Sequence, residues 1–396
     1  MSDFEDAKLI LTPNAYKAGK AYCIKPFDGS GDLTVVRNTT ATRVNENGLI
    51  EVVAVNVPRV NYPIGGGCPS WLIEPQATNR YLNSEPTANE SSAGNITYEV
   101  FVWGQTIFTN CVRFLNNPAG VFRYGGTTIA STQYTISAFV IMDDLSAPVV
   151  STSTSGGDFT LVLSGLIVSN PAIVENYGNN IYRVSGTGTT GAINLINNGI
   201  VKYAGHSSKG FRVVGWQLEQ GSYATSYIPT NGTAVTRNAD VFSKANVANL
   251  IGQTEGSIFI DFNYKKTDPT DNFICVLSDN SGSNGIWIDV NTSGAFLIIV
   301  RVGGASLITY TILGASFLFG RKKIMLNYKS GNTSLFINGA QIGATSTTSF
   351  TFPVTIDKIN VGSYYNGAGV LNNEINDFYL TTTRLTDAEA VKKTTL

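Results

Sequence analysis

Gly256-Ser257-Ile258-Phe259-Ile260-Asp261-Phe262-Asn263-Tyr264 is the stretch on which the fold turns. In an extended chain Ile258, Ile260, Phe262 and Tyr264 share one side and Asp261 and Asn263 the other, the period-two pattern of a strand with one face in a core. The same grammar recurs outward from it. Leu335-Phe336-Ile337 runs through Asn338-Gly339 into Ala340-Gln341-Ile342, a hairpin signature, and Asn45-Glu46-Asn47-Gly48 repeats the signal between extended runs at 33–36 and 49–53. In Ile286-Trp287-Ile288-Asp289-Val290 the alternation sends the aliphatic residues inward and Trp287 with Asp289 to the opposite face. Helical periodicity is missing until Leu385-Thr386-Asp387-Ala388-Glu389, where Thr386 and Glu389 have the spacing of a capping box and predict one short closing helix.

Composition agrees. Of 396 residues only 14% are charged, while 42 Thr, 37 Asn, 32 Ser and 40 Gly supply a neutral polar surface suited to strands and turns. With 27 Lys+Arg against 28 Asp+Glu the net charge is −1, and no basic stripe points to nucleic acid. The acidic start, Met1 to Asp6, lacks the basic and apolar regions of an export signal, and no apolar run approaches a membrane span. The stretches at 295–302 and 306–319 read as buried strands. A reducing compartment is therefore expected, with Cys23, Cys68, Cys111 and Cys275 as free thiols.

Little of the sequence suggests catalysis. The single histidine, His206, lies in a Gly-Ser turn and reads as a solvated loop residue; no G-x-S-x-G elbow accompanies it. The cysteines lack metal-ligand spacing, Gly65-Gly66-Gly67 sits between prolines and so is no phosphate loop, and Asp279-Asn280-Ser281-Gly282-Ser283 reads as a hairpin loop. The alternating acids expected of a glycosidase on a lectin-like sandwich, E-x-D-x-x-E, do not occur. No enzyme activity, metal or cofactor is expected.

The chain is expected to be all-β in three parts. Residues 1–85, rich in Pro58, Pro63, Pro69 and Pro75, form an N-terminal extended strap lying on its own sandwich or on a neighbouring subunit. Residues 86–240 form a β-sandwich of jelly-roll type, with strand-like runs at 96–102, 134–142, 159–168, 181–184, 193–196 and 211–218. Residues 241–396 form a second sandwich. Residues 1–25, too short for a domain, are expected to order on a partner.

Gly31-Asp32-Leu33-Thr34-Val35-Val36-Arg37-Asn38 through Arg43-Val44-Asn45, Asn56-Val57-Pro58-Arg59, Gly66-Gly67-Cys68-Pro69 and Leu72-Ile73-Glu74-Pro75-Gln76-Ala77-Thr78-Asn79 resemble a family of bacteriophage virion proteins, tail-fibre or appendage components. The resemblance continues at Gly215-Trp216-Gln217-Leu218-Glu219-Gln220-Gly221 through Thr230, at Thr236-Arg237-Asn238-Ala239-Asp240, and from Ile251-Gly252-Gln253-Thr254-Glu255-Gly256 onward. It covers most of the chain but carries few letters over 95–210, and it departs at Ile73 and Ala77, where the family often has Leu and Arg. The resemblance implies a carbohydrate-module-like middle sandwich and a concanavalin A-like (laminin-G-like) C-terminal sandwich. It also implies a virion location after assembly in the host cytoplasm, a homo-oligomer such as a trimer, other virion proteins held through the N-terminal segment, and no catalysis.

Two residue sets follow. Arg37, Arg43, Arg59 and Arg237 lie in matched extended segments and read as pins between strap and sandwich, with Glu51, Glu74 and Glu219 as partners. Trp287 with Asp289, and the loop Gly362-Ser363-Tyr364-Tyr365-Asn366-Gly367, combine aromatic rings with amides and carboxylates as a carbohydrate site requires. The leading reading is thus a phage fibre or appendage contacting host surface glycans. A head fibre or capsid-decorating part without receptor binding is the alternative, and a glycan-degrading enzyme a weaker one.

Overall fold

A computed structural model describes residues 3–86, 92–93, 96–101, 107–115, 121–192, 197–264, 272–313 and 320–396. The strand expected at 193–196 lies outside the described residues, as does the end of the run at 306–319.

The deciding strand, Glu255–Tyr264, sits in the middle of an eight-stranded sheet between Gly320–Lys329 and Asn373–Thr381. Ile258, Ile260, Phe262 and Tyr264 enter the main core as the alternation requires. Its other face is buried too: Phe259 packs with Met325, Phe336 and Tyr379 under the closing helix Asp387–Thr394. That helix carries the capping box, with the Thr386 hydroxyl accepting from Glu389 N–H and the Glu389 carboxylate accepting from Thr386 N–H. Asn338 and Gly339 turn with positive φ of 50° and 83° between Thr333–Ile337 and Ala340–Ser346, as a two-residue hairpin demands.

Facing this sheet across the core is a nine-stranded one. Its order runs from Tyr16–Lys17 and Lys20–Ala21 through Leu33–Val36, Val241–Lys244, Lys358–Val361, Asn272–Ser278, Gly285–Val290 and Phe296–Val302 to Ala305–Ile312. The last of these is an exposed edge strand, not the buried strand expected, because no strand among the described residues pairs with its outer side.

The N-terminal segment does more than lie across a surface: it supplies strands to both sheets. Leu33–Val36 pairs with Val241–Lys244, so it does not flank the Asn45–Gly48 turn; the hairpin there joins Ala41–Val44 to Ile50–Val53. Ser70–Ile73 pairs with Asn373–Thr381, and the Pro-flanked Val60–Asn61 forms the sheet's edge, where a missing N–H is tolerated. Leu9–Leu11 pairs with Phe378–Leu380, so this part of the segment expected to order on a partner is already ordered on its own chain.

The middle sandwich packs two six-stranded sheets around Trp216, Phe211, Tyr134, Phe159 and Leu161. Its strands lie between Ser92–Ala93 and Phe211–Gln220, so it is inserted in sequence between the strands of the other sandwich. The chain enters and leaves through a two-stranded neck, Ala77–Asn79 paired with Val235–Arg237. Asn79 is fully buried there; its amide donates to Trp216 O and Ile228 O (2.9 and 2.8 Å) and accepts from Tyr81 N–H and Leu218 N–H (both 3.1 Å). The sheet containing Gln133–Met142 buries its second face as well: Phe139, Ile141 and Val214 pack with Phe108, Tyr227 and Ile50 of the 41–53 hairpin.

Candidate functional site: an aromatic cleft and a buried ionic junction

The outer face of the nine-stranded sheet carries a cleft. Antiparallel register sets Trp287 opposite Val276 and Ile299, and Asp289 opposite Phe273 and Leu297. Ile286, Ile288 and Val290 go to the core, so Trp287 and Asp289 emerge on the far side as alternation requires. The loop after Lys358–Val361 folds over this face, held by Phe273 N–H to Gly369 O (3.0 Å) and Leu371 N–H to Gly362 O (2.8 Å). It brings the Tyr364 ring within 4.5 Å of Phe273. The cleft so formed has a volume of about 600 Å³ and is lined chiefly by Phe273, Trp287, Asp289, Asn291, Arg301 and Tyr364.

Of the five expected carbohydrate residues, Trp287, Asp289 and Tyr364 are brought together here. Trp287 is not the exposed stacking surface a free aromatic would be: it is 2% exposed, because the Arg301 guanidinium lies over the indole at 4.9 Å. Asp289 is 5% exposed. Tyr365 and Asn366 stand behind the wall: Tyr365 packs 4.5 Å from Tyr364 and its carbonyl accepts from Lys358 Nζ (2.7 Å), while Asn366 Oδ1 closes the turn on Ala368 N–H (3.0 Å). On the opposite rim the 279–284 hairpin loop presses against Tyr364; a Cβ at Gly282 would lie 2.7 Å from the Tyr364 hydroxyl oxygen. Burial, with Tyr365 and Asp289 nearby, pushes the Tyr364 phenol up against the opposing charge of Arg301, so it stays protonated and able to donate.

Arg301 and Phe273 were not singled out from the sequence. Arg301 interrupts the apolar run 295–302 on the side of Leu297 and Ile299, the signal that could have found it. Its Nη1 donates to Gly282 O (3.1 Å), and it makes no salt bridge among the described residues. Two buried donors in the cleft lining, Arg301 Nε and Trp287 Nε1, have no hydrogen-bond partner.

The second assembly sits at the neck. Arg37, Arg59 and Arg237 are fully buried around Glu74 and Asp240. Arg37 Nη1 donates to Asp240 Oδ1 (2.8 Å), Arg59 Nη1 to Glu74 Oε2 (2.6 Å), Arg59 Nη2 to Asp240 Oδ2, and Arg237 Nη1 to Glu74 Oε2 (2.7 Å). Backbone carbonyls of Thr39, Ala54, Thr42 and Pro75 take further guanidinium donors, and Ser226 bonds both Glu74 oxygens (2.6 and 2.7 Å). Burial alone would raise the Glu74 carboxyl, but Arg237, Arg59 and Ser226 outweigh it and hold it well below the usual carboxylate range. Arg43 instead pairs with Glu51 within the hairpin (2.6 Å). Among the described residues Glu219 meets no arginine at bonding distance; it accepts from Thr225 N–H (3.0 Å) and from the Gln217 amide. Asp240, quoted within a matched segment but given no role, is the partner the sequence reading missed.

His206 is buried at 6% exposure, not solvated, because its loop tucks against residues 154–157 and its Nδ1 lies 2.6 Å from Gly156 O. None of the four cysteines forms a disulfide. Among the described residues no group of three or more His, Cys, Asp or Glu side chains is placed to hold a metal ion, and no helix is long and apolar enough to cross a membrane.

No protein-family model and no curated protein matches the chain. Among solved structures it is similar to the carbohydrate-binding module, CBM40, of the Ruminococcus gnavus IT-sialidase bound to α2,3-sialyllactose, at 15% identity over 38% of this chain and 86% of that one, with a TM-score of 0.31. A leech intramolecular trans-sialidase matches at 19% identity over 36% of this chain and 23% of its own length, TM-score 0.31. A mutant Trypanosoma rangeli sialidase matches at 9% identity over 39% of this chain and 26% of its own, TM-score 0.31. Likeness this slight carries no argument about function, which rests on the chain's own residues.

Proposed function

We propose that this chain is a non-enzymatic bacteriophage virion protein, a tail-fibre or appendage component that assembles as a homo-oligomer and contacts a host surface glycan through its C-terminal sandwich. The virion part of the reading is supported by the sequence resemblance over 31–79 and 215–256. The glycan part is carried by the cleft. One sheet of the C-terminal sandwich has its outer face closed by Asp387–Thr394, whereas the other presents aromatic rings with a carboxylate, an amide and a guanidinium around an open volume of about 600 Å³. Rings for the apolar faces of a sugar and fixed polar groups for its hydroxyls are what glycan recognition needs.

The test is binding of the purified, labelled chain to an immobilised panel of bacterial surface polysaccharides, with Tyr364→Ala and Asp289→Asn as variants and thermal unfolding as the check on folding. The expected result is binding by the wild type that falls by about tenfold or more in both variants. A folded wild type that binds nothing on the panel, or variants that bind unchanged, overturns the glycan reading.

The capsid-decorating alternative is favoured by a different observation. Ile173–Asn176 is an edge strand exposed along its whole length, with Ile173 55% and Val174 38% exposed, and no strand among the described residues pairs with its outer side. Such an edge offers a ladder to another chain. Sedimentation of wild type against Val174→Lys separates the readings: an assembly lost in the variant while polysaccharide binding persists assigns that edge to packing and the cleft to recognition.

A further inference from the structure

Arg301 shares with Arg80 and Arg183 a place over an aromatic ring and the lack of a salt bridge among the described residues, and is set apart by the aromatic cleft it lies in. Eight others hold carboxylates in salt bridges, from Arg37 at the neck to Arg384 at the closing helix. Arg301 has none, yet it lies in a cleft, over an indole, with only Gly282 O on one of its nitrogens. A guanidinium stacked on an aromatic face is held by its flat side and keeps its in-plane donors for something else. Arg301 Nε and Trp287 Nε1 are both buried and unpartnered, but so are Arg59 Nε and Arg237 Nε at the neck; what sets the cleft apart is the half-buried guanidinium stacked on the indole beside an open volume.

The cleft is also polarised along its length. Arg301 pairs in register with Gly285 and Leu297 with Asp289, so Arg301 and Asp289 stand on adjacent strands four register positions apart, roughly 13 Å at the backbone. Trp287 lies between them. At one end the guanidinium calls for acceptors; at the other, Asp289 supplies a carboxylate, while Asn291 Oδ1 is already filled by Ser293 N–H, the Ser293 hydroxyl and Ala295 N–H. A neutral sugar ring offers only hydroxyl oxygens to the guanidinium.

We propose that the sugar taken by this cleft is an acidic one, its carboxylate received by the Arg301 guanidinium and the Trp287 indole N–H while its ring lies against the aromatic walls. The inference rests on the glycan-contact reading above and names the class of glycan. A carboxylate matches the forked donor geometry of a guanidinium and forms shorter, stronger hydrogen bonds than a hydroxyl does.

The experiment is calorimetric titration of the full chain with oligosaccharides ending in glucuronic acid, galacturonic acid or N-acetylneuraminic acid, each compared with its own carboxyl-reduced form. At least one acid is expected to bind about tenfold more tightly than its reduced counterpart, with the ratio shrinking as salt rises. Arg301→Gln is expected to bring that ratio to about twofold or less, and Arg301→Lys to leave it in between, since an ammonium keeps the charge and loses the fork. Trp287→Phe, which keeps a ring and removes the donor, is expected to lower the ratio by about threefold. Equal affinities for acid and reduced forms, a ratio indifferent to Arg301, or binding confined to neutral polysaccharides overturns the inference and leaves the glycan reading standing. Binding to neither form nor to any member of the polysaccharide panel takes down the glycan reading, and this inference with it.

Discussion

The neck and the cleft are built around the same side chain put to opposite uses. At the neck three arginines surround two carboxylates, and serine, backbone carbonyls and guanidinium forks complete every acid oxygen. In the cleft one arginine lies on an indole without a carboxylate. An arginine whose carboxylates come from its own chain fixes a shape; one without a carboxylate keeps its charge for whatever enters the cleft. The difference is visible in the connections each makes. The neck cluster ties residues 37, 59 and 74 to 226, 237 and 240, across both sandwiches and the hairpin, whereas among the described residues the Arg301 side chain hydrogen-bonds Gly282 O alone.

Breaking the neck has the largest expected effect. Glu74→Ala or Asp240→Ala leaves buried guanidinium groups uncompensated and is expected to cost about 3–5 kcal/mol, read as a fall in denaturation midpoint at unchanged slope. The same carboxylate makes the junction acid-labile. The folded Glu74 is held below its ordinary value of 4.5, so the folded state binds fewer protons than the unfolded one; its contribution is complete above about pH 4.5 and drains away as pH falls below that. Wild type is therefore expected to lose more stability than Glu74→Gln between about pH 5 and pH 2, and parallel pH profiles would refute the assignment.

The cleft should respond in binding rather than stability. Gly282→Ala places a methyl against the Tyr364 hydroxyl and should tilt the wall, weakening glycan binding by about fivefold at an unfolding midpoint within a degree or two of wild type. Between the two extremes lies the part-exposed Arg43–Glu51 pair, and Glu51→Gln is expected to cost at most about 1 kcal/mol. Last, a thiol reagent on the native protein should modify Cys68 alone: Cys68 is exposed, Cys111 and Cys275 are buried, and burial beside Asp32 pushes the Cys23 thiol up to about 12. Labelling of Cys111 or Cys275 at the same rate would show that the sandwiches open readily.

Local pattern carried much of this. Alternation at 256–264 and 286–290 placed each side chain on its face, the Thr386–Glu389 spacing gave the helix, and Asn338-Gly339 gave the turn, because each is written in neighbouring residues. The partners of short strands were not legible. Leu9–Leu11 and Ser70–Ile73 pair with a strand that begins at Asn373, three hundred residues or more later, and a strand's pattern says which face it buries but not which neighbour it takes. The cleft was half legible for a related reason. Alternation sent Trp287 outward, but what covers it comes from another strand, and Arg301 looked like a break in an apolar run when it is the group that lies over the indole. His206 reads as a surface residue by composition and is buried because a distant loop, 154–157, packs on its turn.

The pairing of Leu9–Leu11 with Phe378–Leu380 also decides how the molecule bears load. The first and last strands of the outer sandwich are neighbours in one sheet, and the middle sandwich hangs from the neck between them. Tension applied between the two ends of the described chain therefore crosses the short ladder at 9–11 and bypasses everything from residue 77 to residue 237. The inserted sandwich feels no pull until that clasp parts, and the clasp cannot close during synthesis until residue 380 has been made, long after the middle sandwich is complete.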